Sequence, residues 1–191
     1  MNLRYLFLLL CATHIGWAQA EEVLSANVRD VLQRSVSDHA ALKPSIALQH
    51  DTWLNEMSSR LQKQMPNTGY RMDFLKILHY EAKRAGLEPE LVLSLIEVKS
   101  NFNRQSVSRI GAQGYMQVMP FWVKQIGAPD HDLFNIRTNL RYGCTILRHY
   151  LDVEKGDLYR ALGRYDGSLG KTEFPNKVRA AWQNHWGITT P

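Results

Sequence analysis

The apolar stripe of one helix runs into a lysine. Val92, Leu95, Ile96 and Lys99 stand at i, i+3, i+4 and i+7, so the ammonium shares a face with three aliphatic side chains. A charge aimed into apolar surroundings costs several kcal/mol unless it is paired or opens into a cleft, which makes position 99 a candidate for chemistry. The plain alternative is a lysine that slides past the helix end to solvent. Glu97 lies about 200° round the helix from Lys99, on the side of Glu90 and Ser94, and is out of position to replace it. Beyond Lys99-Ser100, the stretch from Val107 to Pro120 carries Gly111 and Gly114, where backbone can approach a ligand or simply turn tightly between helices. Farther on, Arg164-Tyr165-Asp166 and Phe174-Pro175 supply an aromatic hydroxyl, a carboxylate and a ring.

Other chemistries lack their residues. His79, His131, His149 and His185 show no paired metal-ligand spacing, so no metal and no cofactor is expected. The run Asp166-Gly167-Ser168, with Gly170 and Glu173 after it, has the wrong ligand spacing for an EF-hand and suits a helix-ending turn. There is no phosphate-binding glycine loop and no nucleophile elbow.

The elements that must position Lys99 are helical. Asp73 is a candidate cap for a helix carrying Phe74, Ile77, Leu78, Ala82 and Ala85, with Gly86 as its stop. Pro89 and Glu90 suit the first turn of the next helix, which is apolar over most of its circumference through Val98 and therefore central and buried. Further helices are expected over 121–126, 136–153, 158–165 and 176–186, with Gly127, Gly156 and Gly167 as stops. No alternating strand pattern or internal repeat appears, and the fold class is all-α. Upstream, residues 21–70 read as a helical extension built on Val23, Val28, Val31 and Leu32, then Trp53, Leu54, Met57 and Leu61. No cluster of functional side chains appears there, so it is expected to pack rather than react.

Residues 1–20 read as an export signal: Arg4, an apolar run from Tyr5 to Cys11, and Ala18-Gln19-Ala20 ahead of Glu21. Removing them takes away one charged residue, and a chain of net charge +5 stays basic. Of the partners a basic surface suits, the exported address makes nucleic acid the least fitting, and no basic run with interleaved aromatics is present. Cys144 is then the only cysteine, so no internal disulfide can form. No later segment is apolar over the length a membrane helix needs.

Taken in order, Lys99-Ser100, Phe102, Ser108, Gly111-Ala112, Gly114-Tyr115-Met116-Gln117 and Arg164-Tyr165-Asp166 resemble the motifs of the lytic transglycosylase (SLT) family, from about residue 71 to 186. That family has glutamate-serine, Gly-Leu-Met-Gln and Ala-Tyr-Asn at these places. The resemblance implies a lysozyme-like helical domain over 71–186, a short tail over 187–191, and peptidoglycan glycan strands as ligand. The export signal, for its part, implies the periplasm or the outside of the cell as the location. By the same resemblance Ser100, Gly114, Tyr115, Met116, Gln117, Asp166 and Phe174 belong to the substrate-binding set. Lys99 falls at the position of the catalytic glutamate, and Tyr165 would hydrogen-bond the side chain there. Met116 and Tyr165 also have a reading as core residues, and Gln117 as a partner for backbone.

The family's single carboxylic acid protonates the leaving oxygen, then takes a proton from the sugar's own hydroxyl to close an anhydro ring. The transition state is cationic, so a carboxylate beside it stabilises and an ammonium does not. A lysine that gave up its proton would become neutral and still supply no negative charge. Since Glu to Lys and Asn to Asp alter charge in opposite senses, Lys99 and Asp166 are expected to form a compensating ion pair. The rival role for Asp166, as the acid itself, is disfavoured because a neighbouring ammonium favours the ionised carboxylate. Three functions follow: a glycan-binding domain with lost or reduced cleavage, which the lysine favours; an active transglycosylase; or an envelope scaffold holding a protein partner through residues 21–70.

Overall fold

A computed structural model describes residues 23–37 and 51–187. The expected export signal, part of the 21–70 extension and residues 188–191 of the tail lie outside the described residues. Within them the chain is all-α. Eight α-helices follow one another as α1 (Ala26–Ser37), α2 (Asp51–Arg60), α3 (Thr68–Arg84), α4 (Pro89–Ser100), α5 (Phe121–Ile126), α6 (Ile136–Val153), α7 (Leu158–Asp166) and α8 (Glu173–Ala181). A single π-helical turn, Trp182–Trp186, closes the order.

Helix α4 is the centre of the assembly, packed against α3, α8 and the π-turn. Every residue from Pro89 to Ile96 is buried, as its all-round apolar surface requires. Pro89 opens its first turn, where a missing N–H costs nothing. Helix α6 is the second hub and packs on α1, α3 and α7. Side-chain oxygens set the starts of α6 and α7: Asn135 accepts from the Thr138 N–H at 3.2 Å and Asp157 from the Arg160 N–H at 3.0 Å.

Two starts differ from the sequence expectation. Helix α3 begins at Thr68, with Asn67 Oδ1 accepting from the Tyr70 N–H at 2.9 Å, so Asp73 is an interior residue and not a cap. The Asn67 side chain satisfies one of the first-turn donors, and the helix extends back to Thr68 across the 70/71 boundary. Helix α8 begins at Glu173 rather than 176, because Pro175 falls inside its first turn and is tolerated there.

Helices α1 and α2 share the core of the remaining chain. Leu32 and Val36 are buried against it, as are Leu54, Met57 and Leu61. Trp53 Nε1 donates to Glu90 at 2.6 Å, tying α2 to α4. Arg60 donates to the carbonyls of His185 and Gly187 at 2.8 and 3.1 Å, which fastens the chain after α8 to α2.

Between α3 and α6 lies a buried ionic cluster. The Glu81 side chain is fully enclosed and accepts from Arg141 at 2.8 Å and Arg84 at 2.9 Å, with Arg137 at 3.5 Å. Cys144, on the same stretch of α6, is buried in the core. Burial first, then the nearby Glu81 charge, pushes its thiol well above the ordinary range.

Candidate functional site

The last turn of α4 delivers Lys99 and Ser100 to a reversal in the chain. Asn101 caps the helix in the left-handed region at φ 47° and Phe102 follows at φ 60°. Asparagine tolerates that conformation, but for a bulky residue it is strained and must be held by its surroundings. Phe102 is held by its ring, which stands edge-on to Phe74 and Trp186 with centroids 6.2 and 5.4 Å away. The reversal carries the following loop back across the end of α4, where the Ser100 hydroxyl lies 2.7 Å from the Tyr115 carbonyl and 3.1 Å from that of Ile96.

That loop has only two isolated bridges, from Gln113 to Val107 and to Val118, so side chains must complete its hydrogen bonding. The buried Asn139 of α6 does most of this. Its Nδ2 donates to the carbonyls of Gln113 and Leu133 at 2.9 and 2.8 Å, and its Oδ1 accepts from the Met116 N–H at 2.8 Å. Gln117, itself at φ 54°, donates through Nε2 to the carbonyls of Ser106 and Gly114 at 3.0 and 2.9 Å. Gly114 stands at φ 74°, and a Cβ there would sit 2.3 Å from Asn139 Nδ2 and 2.5 Å from the Leu133 carbonyl oxygen. Gly114→Ala is therefore expected to lower stability by more than about 1 kcal/mol, from the left-handed backbone alone, and to loosen the loop. A urea titration of the variant beside wild type measures the loss.

Around this loop opens a cleft of about 290 Å³. Its lining includes Lys99 from α4, Asp166 from the end of α7, Ser108, Arg109 and Ile110 from the loop, and Trp122 and Tyr150 from α5 and α6. Lys99 Nζ donates to Asp166 Oδ1 at 2.9 Å, with the two side chains 17% and 26% exposed, so the expected ion pair is present and faces the cleft. The ammonium also stands over the Phe174 ring, 5.2 Å from its centroid. Among the described residues that line it, Asp166 is the only carboxylate. Glu97 is occupied elsewhere: it accepts from Trp186 Nε1 at 2.5 Å and meets His185 Nδ1 at 2.8 Å.

The structure thus gathers Lys99, Asp166, Gln117 and Tyr165 at one cleft and places the other expected site residues behind it. Tyr115 is 1% exposed, packs on Phe74 and shares a 2.7 Å hydroxyl contact with Tyr70. Burial, reinforced by that contact, holds its phenol far above the usual range. Met116 is fully buried against Gly143. These two back the wall instead of forming its surface. Ser100 and Gly114 shape the loop, and Phe174 is a buried platform beneath the ammonium. Tyr165 differs from expectation: its hydroxyl donates to the Met116 carbonyl at 2.9 Å and not to the side chain at 99. Burial raises its phenol strongly, so it remains a neutral donor. Sequence reasoning missed Arg109, Trp122 and Tyr150. Arg109 stands two residues before Gly111, and the two aromatics fall inside the helices expected over 121–126 and 136–153.

The family model for the transglycosylase SLT domain matches residues 76–184. Among curated proteins, the chain is 31% identical over 94 residues to a transglycosylase of Enterobacteria phage PRD1, covering 49% of this chain and 34% of that one. It is 47% identical over 47 residues to membrane-bound lytic murein transglycosylase C of Actinobacillus pleuropneumoniae serotype 5b, covering 25% of this chain and 13% of that one. The chain therefore spans about a third or less of the length of these relatives. No solved structure gives a significant match. With the model covering more than half of its residues, the chain belongs to the transglycosylase SLT domain family.

Proposed function

We propose that this domain binds the glycan strands of peptidoglycan in the cell envelope and cleaves them weakly or not at all. Lys99 on this reading occupies the place of the family's catalytic acid. The observation that carries the proposal is the Lys99–Asp166 pair at 2.9 Å in the cleft. Among the described residues the one carboxylate lining that cleft is already engaged by an ammonium, and no second carboxylic acid stands there to protonate a leaving oxygen. Positive charge at the same point opposes the oxocarbenium character of the transition state. Binding asks less of the site than cleavage does, and Gln117, Trp122 and Tyr150, each with less than a tenth of its surface exposed, line the cleft with polar and aromatic atoms.

The envelope location rests on the relatives' named activity and on the N-terminal sequence. Among the described residues no helix is long and apolar enough to cross a membrane. A role for residues 21–70 in holding a protein partner is a lesser reading, since Trp53, Met57, Leu61 and Arg60 of α2 and its following turn are engaged with the domain.

Incubation of the wild-type protein with purified sacculi tests the proposal. The protein is expected to sediment with the sacculi while the supernatant stays free of anhydro-muropeptides. Release of anhydro products would restore an active enzyme, and failure to sediment would remove the ligand assignment.

A further inference from the structure

The charges lining the cleft are unequal. Lys99 and Arg109 face it with two positive charges, against the single carboxylate of Asp166. An ammonium has three donors, and the described hydrogen bonds of Lys99 Nζ use one of them, on Asp166 Oδ1. Arg109 is exposed, and among the described residues no carboxylate pairs with its guanidinium. Beside it, Ser108 Oγ accepts from the Ala112 N–H at 3.0 Å, and its own proton has no acceptor among the described contacts. The cleft therefore holds two cations and a hydroxyl with donor capacity left over. A neutral sugar gains little from them, whereas a carboxylate gains charge-assisted hydrogen bonds of roughly twice the ordinary strength.

We infer that this cleft selects glycans bearing a free carboxylate on the sugar itself, the lactyl acid of muramic residues that have lost their stem peptide. The inference rests on the proposed glycan ligand and narrows it. In an intact strand that lactyl group is tied up as an amide, and the acidic groups lie farther out along the peptide. Removing the peptide frees a carboxylate one ether linkage from the ring. In a cleft of about 290 Å³ an acid held that close to the sugar reaches Lys99 and Arg109, while acids at the far end of a peptide stay outside. Lys99 can exchange its partner or share itself between Asp166 and the ligand, because both side chains of the pair are partly exposed.

The test compares three tetrasaccharides by calorimetry on the full chain: neutral N-acetylglucosamine, the peptide-free alternating glucosamine–muramic form, and the same form with stem peptides. The peptide-free acid is expected to bind roughly tenfold more tightly than the neutral sugar at low salt, with the gap narrowing as salt screens the exposed charges. Lys99→Met and Arg109→Gln should each shrink that gap and together abolish it. Arg109 is exposed, so its variant tests the idea even if Lys99→Met disturbs the α4 terminus. Lys63→Met, on an exposed turn after α2, should leave the gap intact and rules out a general effect of net charge. Equal binding of neutral and acidic sugars would overturn the selectivity alone. So would a preference that survives the double variant, or equally tight binding of the peptide-bearing strand. Absence of binding to all three would overturn the glycan ligand as well.

Discussion

Lys99→Glu is expected to release anhydro-muropeptides from sacculi at least about 10² times faster than wild type, the lower end of what a general acid contributes. The new carboxyl would stand in the last turn of α4, facing the cleft, with the Asp166 carboxylate beside it and the Phe174 ring beneath. A like charge and an apolar platform both favour its protonated form, the state a general acid must start from. Once ionised, it would place negative charge beside the developing oxocarbenium, where Lys99 places positive charge. Chromatography of the soluble products, with the sugar termini identified by mass, gives the measurement. Should the variant bind sacculi yet release no more than wild type, the acid is not the only missing part. Asp166→Asn, made together with Lys99→Glu, then asks whether the neighbouring carboxylate is the second obstacle.

Glu81→Leu is expected to cost about 3–5 kcal/mol of stability, the largest loss from any single change at the ionic cluster. The substitution removes the acceptor shared by Arg84 and Arg141, and the Arg141 side chain is only 6% exposed. An unpaired guanidinium would then remain between α3 and α6. Removing one member of such a cluster costs more than the cluster's net contribution, because the other charge stays buried. Urea unfolding followed by tryptophan fluorescence should show a lower midpoint with an unchanged slope. A loss below about 1 kcal/mol would mean that the arginines reach water and that the enclosure of Glu81 contributes little.

The parts of the fold that were legible from sequence are those decided by local rules. The apolar circumference of α4 identified it as central, and α5 and α6 begin and end where the pattern put them. The Lys99–Asp166 pair was legible from the motif resemblance, against which the two residues read as changes of opposite charge. What escaped depended on contacts far apart in the chain. Nothing local marks Asn67 as a cap in preference to Asp73. Nothing local shows that Tyr115 meets Tyr70, or that Tyr165 turns to the Met116 carbonyl. A tyrosine or methionine in a loop motif has the same composition whether it faces a ligand or the core, and here the close approach of Asn139 and Gly143 from α6 decided for the core. Arg109 escaped because an exposed arginine carries no pattern until the cleft beside it is known.

The thiol of Cys144, the one cysteine among the described residues, sits beside the seam between α3 and α6, with its proton held tightly by burial. Oxidants and alkylating reagents act on thiolates they can reach, and this sulfur offers neither charge nor access while the seam is closed. Its reactivity is thus limited by how often the helices around it open.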